Sequence, residues 1–463
     1  MRPDLMVVGA YLLLLTYLGW KAKNRDDSQE EYLLSNRTLT LPAMVATLVT
    51  TWYGGILGIG EFASENGIST WFVFGLPYYF FAALFAFFLV PRLRRASYLS
   101  IPDLLYRHFG KKAGALGSLL ILFLTSPAPY ILSTAVIISR LLGWSMLVST
   151  LAGTLFSMAY IYRGGFRSVV KTDKLQFALM YGGFIILLAY LWYFYGSPQQ
   201  MWGQLSPRLK SVTGGLSLQE MLVWFFIASW TFIDPSFHQR VAASRDIKTA
   251  RNGVLVSIGF WFVFDMLTLS TALYAAVYFP GSEPLMIYPL LAETVLPPLL
   301  QGLFFTALLA VTMSTVDSYS FLSAQTIGRD ILAQLNRKES DLEVRFYTKM
   351  GLIISVALAL MLIVWIPSVV QLWFVLGTLF IPPLIWPILL ALFPALPIDR
   401  KFIFPLMLLS SVFTIGWHLL AEYNGGYFLG FRAFIPGLLF SALLVFIARH
   451  RTLVQKTEPE ATP

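Results

Sequence analysis

Long apolar stretches without charge constrain this chain more than any other feature of its sequence. Segments such as 6–20, 119–138 and 352–366 contain no charged residue. No water in a bilayer core satisfies backbone N–H and C=O groups, so such stretches form helices, and about 20 residues cross the core. Strands of a β-barrel would instead alternate over about 10 residues. Only 12% of the chain is charged, against about 25% in soluble domains. We therefore predict an all-α, polytopic membrane protein.

The hydropathy pattern predicts 13 spans. Their approximate bounds are 3–20, 39–62, 70–91, 113–138, 143–162, 172–195, 219–239, 253–279, 297–328, 348–366, 369–394, 402–421 and 430–448. With the N-terminus outside, 28 of the 33 Lys and Arg residues fall in inside loops, as the positive-inside rule requires. This distribution predicts a plasma-membrane protein with a cytoplasmic C-terminus. The first stretch precedes basic residues and not a cleavage site, so we interpret it as a span.

Several function classes are disfavoured. The chain has no cysteine, which excludes disulfides and thiolate metal sites. It has no H-E-x-x-H, G-x-S-x-G or Walker A motif, so we do not expect an enzyme. We attribute the net charge of +9 to orientation in the bilayer and expect no nucleic-acid partner. The loops are too short for a soluble domain, and we predict a monomer.

Two spans carry signals of a broken helix. The second contains Thr50 and Thr51 followed by glycines at 54, 55, 58 and 60, and then Glu61. Glycines at mid-membrane weaken a helix, although they also permit close helix packing. Glu61 has either a functional role or a position facing water. In the seventh span Asp234 precedes Pro235, which indicates a break carrying a charge. The alternative is a kinked helix with Asp234 paired to Arg240 at the surface.

The ninth span carries the strongest chemical signal. Ser314, Thr315, Asp317 and Ser318 occupy neighbouring helical positions. Hydroxyls with one carboxylate suit a small hard cation such as sodium better than a transition metal. The alternative is hydroxyls that bond back to their own helix.

Two further features are weaker on their own. Asp173 follows Thr172 at the start of the sixth span, where capping alone could explain it. In the eleventh span Gly377 precedes Pro382 and Pro383, which predicts either a gating hinge or a static kink.

The breaks in spans two and seven indicate an internal repeat. Both fall in the first helix of a group of five spans, and an odd number of spans makes the two groups inverted. We predict one transmembrane domain with a binding site near the midplane. Its parts are a leading helix and loop at 1–38, a first repeat at 39–195, a second at 219–394, two peripheral helices at 402–448 and a polar tail at 452–463.

The chain resembles the sodium:solute symporters, which include proline, galactose, sialic acid and pantothenate carriers. Four stretches carry the resemblance. They are Glu31–Arg37 with Leu39 and Pro42, similar to the Y-F-L-x-G-R motif of the family; Gly164–Gln176; Gln239–Asp246; and Ala310–Ser318 with Arg329 and Asp330.

The resemblance implies a LeuT-type core in spans two to eleven and a set of site residues. A first sodium would bind the hydroxyls of Ser314 and Thr315 and the carbonyls of Leu48, Thr51 and Val311. A second cation would bind Asp173, Asp317 and Ser318. Asp317 replaces the serine more usual in relatives, so a second sodium, a proton or neither stays open. The solute pocket would comprise Thr50, Trp52, Tyr53, Phe74, Tyr78, Trp230 and Asp234.

We therefore expect a symporter that uses the sodium gradient to take up a small polar solute, such as a sugar, an amino acid or a small carboxylate. Span four lacks the arginine that a sialic acid carrier would use. Two alternatives are a proton-coupled carrier that uses Asp317 or Glu61 and a membrane sensor of the same fold. The short tail disfavours the sensor.

Overall fold

The computed structural model describes residues 2–21, 28–96, 98–336, 340–394, 396 and 398–457. Within those residues the secondary structure is helical, apart from two isolated bridges. The α-helices are α1 (Pro3–Trp20), α2 (Gln29–Leu34), α3 (Leu41–Trp52), α4 (Ile56–Asn66), α5 (Leu76–Leu84), α6 (Val90–Ala96), α7 (Ile101–Phe109), α8 (Lys111–Leu124), α9 (Ala128–Leu142), α10 (Met146–Tyr195), α11 (Pro198–Gln204), α12 (Pro207–Lys210), α13 (Leu218–Ile227), α14 (Pro235–Ala243), α15 (Ile247–Tyr278), α16 (Ile287–Val295), α17 (Pro298–Gln325), α18 (Gln334–Asn336), α19 (Asp341–Trp365), α20 (Val369–Leu392), α21 (Ile403–Tyr423) and α22 (Phe434–Thr457).

The number of membrane crossings can be compared with the prediction of 13. In the described residues, ten helical segments are long and apolar enough to cross a bilayer, and the bent pair α3–α4 makes an eleventh. The other two predicted spans correspond to the first part of α10, which has an apolar stretch at Met146–Ala159, and to the interrupted pair α13–α14. Both are too short or too broken to meet the same criterion, so the count of 13 stays a prediction.

The two predicted interruptions are present. α3 ends at Trp52, α4 begins at Ile56, and their axes differ by 58°. In the seventh predicted span α13 passes into a 3-10 stretch at Ala228–Phe232, and α14 begins after Asp234. Asp234 caps α14, since its side chain accepts from the backbone N–H of Ser236. The double proline behaves differently: α20 continues through Pro382 and Pro383 as one helix.

α10 is bent at Gly165, where φ is +55° and the backbone is not helical. The half of α10 that follows it carries Asp173. The predicted tail is partly helical, since α22 extends to Thr457. Residues 458–463 lie outside the described part of the chain.

Basic segments assigned to the inside loops meet at one end of the bundle. Arg167 forms a two-pronged ion pair with Glu31, at 2.6 and 3.0 Å. Arg94 donates to the carbonyl of Ala242 at 2.8 Å. The backbone N–H of Leu39 donates to Ala243 at 3.0 Å. The segments around residues 31, 94, 167 and 242 therefore share one end, as an alternating layout of spans requires.

At the other end of the bundle, the segments that connect the spans contain short helices and pack on α4. The backbone of Ile68 donates to Leu209, which docks the 196–217 segment onto the end of α4. α16 packs on α4, where Tyr288 fills the space beside Gly60. These contacts cover α4, the second half of the first broken helix.

Candidate cation and solute site

The hydroxyl of Thr315 lies at the broken end of α3. It is 3.0 Å from the carbonyl oxygen of Thr51, 3.5 Å from that of Thr50 and 3.4 Å from that of Val311 on its own helix. α3 ends one residue later, so its last carbonyls lack the usual helical donors. Gly54 makes this approach possible, because a Cβ there would overlap the Thr315 side chain. The result is a cluster of one hydroxyl and several carbonyl oxygens, which is a donor set that suits a hard monovalent cation.

Asp173 joins the same two helices one turn nearer the bundle end. It accepts from the hydroxyl of Ser314 on α17 at 2.7 Å and from the hydroxyl of Thr47 on α3. Asp173 and Ser314 are fully buried. Of the five residues predicted for the first sodium, Thr51, Val311, Ser314 and Thr315 thus meet at this junction. Leu48 is buried on the same helix, one turn before Thr51.

The guanidinium of Arg240 enters this junction from α14. Its Nη2 donates to the hydroxyls of Thr47 at 3.0 Å, Thr51 at 2.6 Å and Ser318 at 2.9 Å. The same atom lies 4.0 Å from the Asp173 carboxylate, and both side chains are fully buried. The positive charge therefore lies between α3, α10, α14 and α17. The sequence places Arg240 in the Gln239–Asp246 stretch and offers it as a surface partner of Asp234, whereas the structure buries its side chain fully.

The residues predicted for a second cation are separated in this structure. Ser318 contacts Thr51 and Arg240. Asp317 points from α17 to the first half of α10, where it accepts from the hydroxyl of Ser157. Asp173 has Ser314 and Thr47 as its partners. Within the described residues, no group of three His, Cys, Asp or Glu side chains could hold a metal ion.

A cavity opens next to the Thr51 end of α3. It contains about 690 Å³ of atom-free space, counting the part that opens toward solvent. Six of the seven residues predicted for the solute pocket line it, and Thr50 does not, since its hydroxyl bonds back to Ala46 at 2.9 Å. The lining residues are Thr51, Trp52, Tyr53, Gly55, Ile59, Phe74, Tyr78, Tyr130, Trp230, Thr231, Asp234, Asp265, Tyr319 and Trp373.

Aromatic contacts close the cavity on two sides. On one side the ring of Trp52 packs edge-on against Tyr78, with centroids 4.7 Å apart, and lies 5.3 Å from Trp261. On the other side Phe74 lies 4.9 Å from Trp224 and 5.8 Å from Trp373. A small solute would therefore be enclosed mainly by ring faces and edges.

Two carboxylates face this space. Asp234 accepts from the Tyr319 hydroxyl at 2.7 Å in addition to the Ser236 N–H. Asp265, on α15, lies 2.8 Å from the Tyr53 hydroxyl and also accepts from Tyr79. The sequence reasoning missed Asp265. It is a lone acid inside the apolar stretch 253–279, and an ionisable residue within a span is itself a signal of function.

The remaining predicted residues lie apart from the site. Glu61 is half-buried on α4, and its Oε2 has no hydrogen-bond partner among the described residues. Gly377 is on α20 beside Ile227, and Pro382 has its carbonyl capped by the Ser441 hydroxyl at 2.7 Å. The gating role of Gly377, Pro382 and Pro383 stays a prediction.

Comparison with known proteins gives a consistent family. A model of the sodium:solute symporter family matches residues 32–395. The chain is 24% identical to the Haemophilus influenzae sodium/pantothenate symporter, covering 99% of this chain and 100% of that protein. It is 24% identical to a Drosophila melanogaster high-affinity choline transporter and to the rat sodium/glucose cotransporter 2, over 79% of this chain. The chain spans 63% of the length of each of these two relatives.

Solved structures share the fold. A substrate-bound outward-open Na⁺-coupled sialic acid symporter superposes with a TM-score of 0.82, at 17% identity and with 98% of both chains covered. A nucleobase-cation-symport-1 family transporter in a closed conformation gives a TM-score of 0.61 at 14% identity. These similarities confirm the all-α, LeuT-type fold class. The exact bounds of the two repeats stay a prediction.

Proposed function

This chain belongs to the sodium:solute symporter family, and from that premise we propose that it couples inward sodium movement to the uptake of a small polar solute. The observation that carries the proposal is the meeting of the Thr315 hydroxyl with the last carbonyls of α3, those of Thr50 and Thr51. A cation bound there would contact both helices at once. It would also lie next to Thr51, which lines the solute cavity.

Coupling requires sodium to bind one conformation better than the other. The proposed ligands come from two helices, α3 and α17, and α3 is one arm of a broken span. A sodium ion between them would stabilise the conformation in which they are close, and would lose ligands when they separate. Solute that fills the adjacent cavity then favours closure, so both leave on the inner side when the bundle rearranges.

We infer that one sodium moves per cycle. The space that a second cation would share with Ser318 and Asp173 already contains the Arg240 guanidinium. A second cation would have to displace the guanidinium from Ser318 and Asp173, which are its partners in this structure. We expect sodium activation of uptake with a Hill coefficient near one. A coefficient near two would contradict this stoichiometry.

The test of the sodium site is the double substitution Ser314→Ala with Thr315→Ala. Two lost ligands, each worth about 1 kcal/mol, should raise the sodium concentration for half-maximal uptake by roughly tenfold or more. Ser320→Ala is the matched control, since Ser320 is buried on the same helix with no hydrogen-bond partner among the described residues. Thr315→Ser should retain near-normal sodium dependence. Unchanged sodium dependence in the double variant would refute the site.

The same transport assay separates sodium from proton coupling. Liposomes with an imposed pH gradient in sodium-free potassium buffer should show no concentrative uptake. Proton-driven uptake that is lost in Asp317→Asn or Glu61→Gln would instead support the proton-coupled alternative.

A further inference from the structure

We propose that the solute is a small organic cation, an amine or quaternary ammonium, held by aromatic rings and the carboxylates of Asp234 and Asp265. The proposal rests on the function proposed above and identifies the chemical class of its solute. It starts from the composition of the cavity wall. Eight of the fourteen lining residues are aromatic, and the only charged residues among them are the two aspartates.

The charge of the wall favours a cation. Burying a carboxylate away from water is costly unless a positive group compensates it. No Lys, Arg or His occurs among the cavity-lining residues of the described structure. The charge of Arg240 acts on Asp234, but its Nη2 donates to Thr47, Thr51 and Ser318 and lies beside Asp173. Among the described residues, no cation acts on Asp265, whose partners are Tyr53 and Tyr79. An ammonium group in the cavity would supply the missing charge, whereas a carboxylate would meet two like charges.

The partners of Asp265 orient it without neutralising it. Its oxygens accept from the hydroxyls of Tyr53 and Tyr79, which are neutral donors. A carboxylate has about four acceptor positions, so two such bonds leave capacity for an N–H donor or for the field of a quaternary nitrogen.

The aromatic wall suits an organic cation better than a metal ion. Metal ions that prefer oxygen need several oxygen ligands, while the rings of Trp52, Trp230 and Trp373 offer π faces that attract ammonium groups. Trp230 also has a buried indole N–H with no hydrogen-bond partner among the described residues. That N–H could donate a hydrogen bond to a hydroxyl of the solute, as in an amino alcohol.

Choline and 3,3-dimethylbutan-1-ol form the decisive probe pair, because they have the same shape and differ in a positive nitrogen against a neutral carbon. Binding to the purified full chain is measured by calorimetry and by tryptophan fluorescence, with tetramethylammonium, glycine betaine, proline and glucose as further probes. We expect choline to bind at least about tenfold more tightly than its isostere. Betaine, which adds a carboxylate, should bind more weakly than choline.

Single substitutions test which side chains cause the preference for choline over its isostere. Asp265→Asn keeps the shape of the side chain and should weaken choline binding by about tenfold while leaving isostere binding unchanged. Asp330→Asn is the matched control, a buried acid near the bundle end that contacts Ser100 and Arg329, and it should keep the preference for choline. If Asp265→Asn does not fold, Trp373→Leu tests the rings, with an expected several-fold loss of that preference.

Sodium and potassium buffers free of amines separate the two proposals. A preference for choline that persists while sodium has no effect on affinity would reject sodium coupling and keep the amine. Sodium-dependent binding of glucose, proline or another solute, without any binding of an amine, would support sodium coupling and reject the amine. Equal affinity for choline and its isostere, or no binding of choline and tetramethylammonium at millimolar concentration, overturns the inference.

Discussion

Arg240 brings a positive charge into the interior of the protein, next to the buried carboxylate of Asp173. Its guanidinium and the Asp173 carboxylate are both fully buried. Arg240 Nη2 donates to three hydroxyls and Nη1 donates to the carbonyl of Ser236 at 3.3 Å, while Nε has no partner among the described residues. Removing one member of a buried pair leaves an uncompensated charge, which costs about 3–5 kcal/mol. We expect Arg240→Gln to lower the free energy of unfolding in detergent by that amount. Denaturant titration of the purified protein measures it.

Substitution of Asp173 shows whether the loss of stability in Arg240→Gln comes from the Arg240–Asp173 ion pair. In a double-mutant cycle, Asp173→Asn should be less harmful in the Arg240→Gln background than alone, with a coupling energy of about 1–3 kcal/mol. Arg245→Gln is the control, because the Arg245–Asp246 pair is mostly exposed and such pairs contribute about 0–1 kcal/mol. Additive effects of the two buried substitutions would show that they act independently.

At the level of elements, the break between α3 and α4 positions both parts of the site. A Cβ at Gly54 would overlap Thr315, and one at Gly55 would overlap the Trp373 indole. We expect Gly54→Ala to move the Thr315 hydroxyl away from the α3 carbonyls and to raise the sodium requirement for uptake several-fold. Gly182→Ala is the control, since nothing lies within 4 Å of a Cβ there. Equal sodium requirements in both variants would contradict the packing argument.

The break illustrates what the sequence reveals about this fold. Consecutive glycines at 54 and 55, and the Asp234–Pro235 pair, act on their own backbone, so the interruptions could be predicted from local chemistry alone. Contacts between helices across the bundle could not be predicted in this way. The Tyr53–Asp265 hydrogen bond joins residues 212 positions apart, and Arg240 meets Thr47 across 193 positions. The sequence shows that such residues are polar and buried but leaves their partners open.

The same limit applies to α16 and to the prolines of α20. Residues 287–295 lie between two predicted spans, and packing of this short helix on α4, α10, α15 and α17 fixes its place. Pro382 and Pro383 predict a bend, yet α20 continues through them as one helix, and Ser441 of α22 donates to the carbonyl of Pro382. Tertiary contacts decide both outcomes.

At the scale of the whole molecule, the open question is whether 143–162 and 219–239 cross the bilayer. The absence of native cysteine permits a direct test with single cysteines and a membrane-impermeant maleimide on intact cells. Trp144→Cys lies at the start of the first segment and Lys171→Cys beyond its end, and Ser206→Cys and Lys248→Cys flank the second; all four positions are exposed. The two cysteines of a pair lie at opposite ends of one of these segments. They differ in maleimide labelling on intact cells only if that segment crosses the bilayer.

With 13 spans and an outside N-terminus, Trp144→Cys and Ser206→Cys should label on intact cells. Lys171→Cys and Lys248→Cys should label only after the membrane is permeabilised. The charge bias requires this result, because placing either segment on one side of the bilayer would invert every later loop and move most basic residues outside. Equal labelling within a pair would remove that span. Since Asp234 is at the break of the second segment and lines the cavity, losing that crossing would also displace the solute site from the midplane.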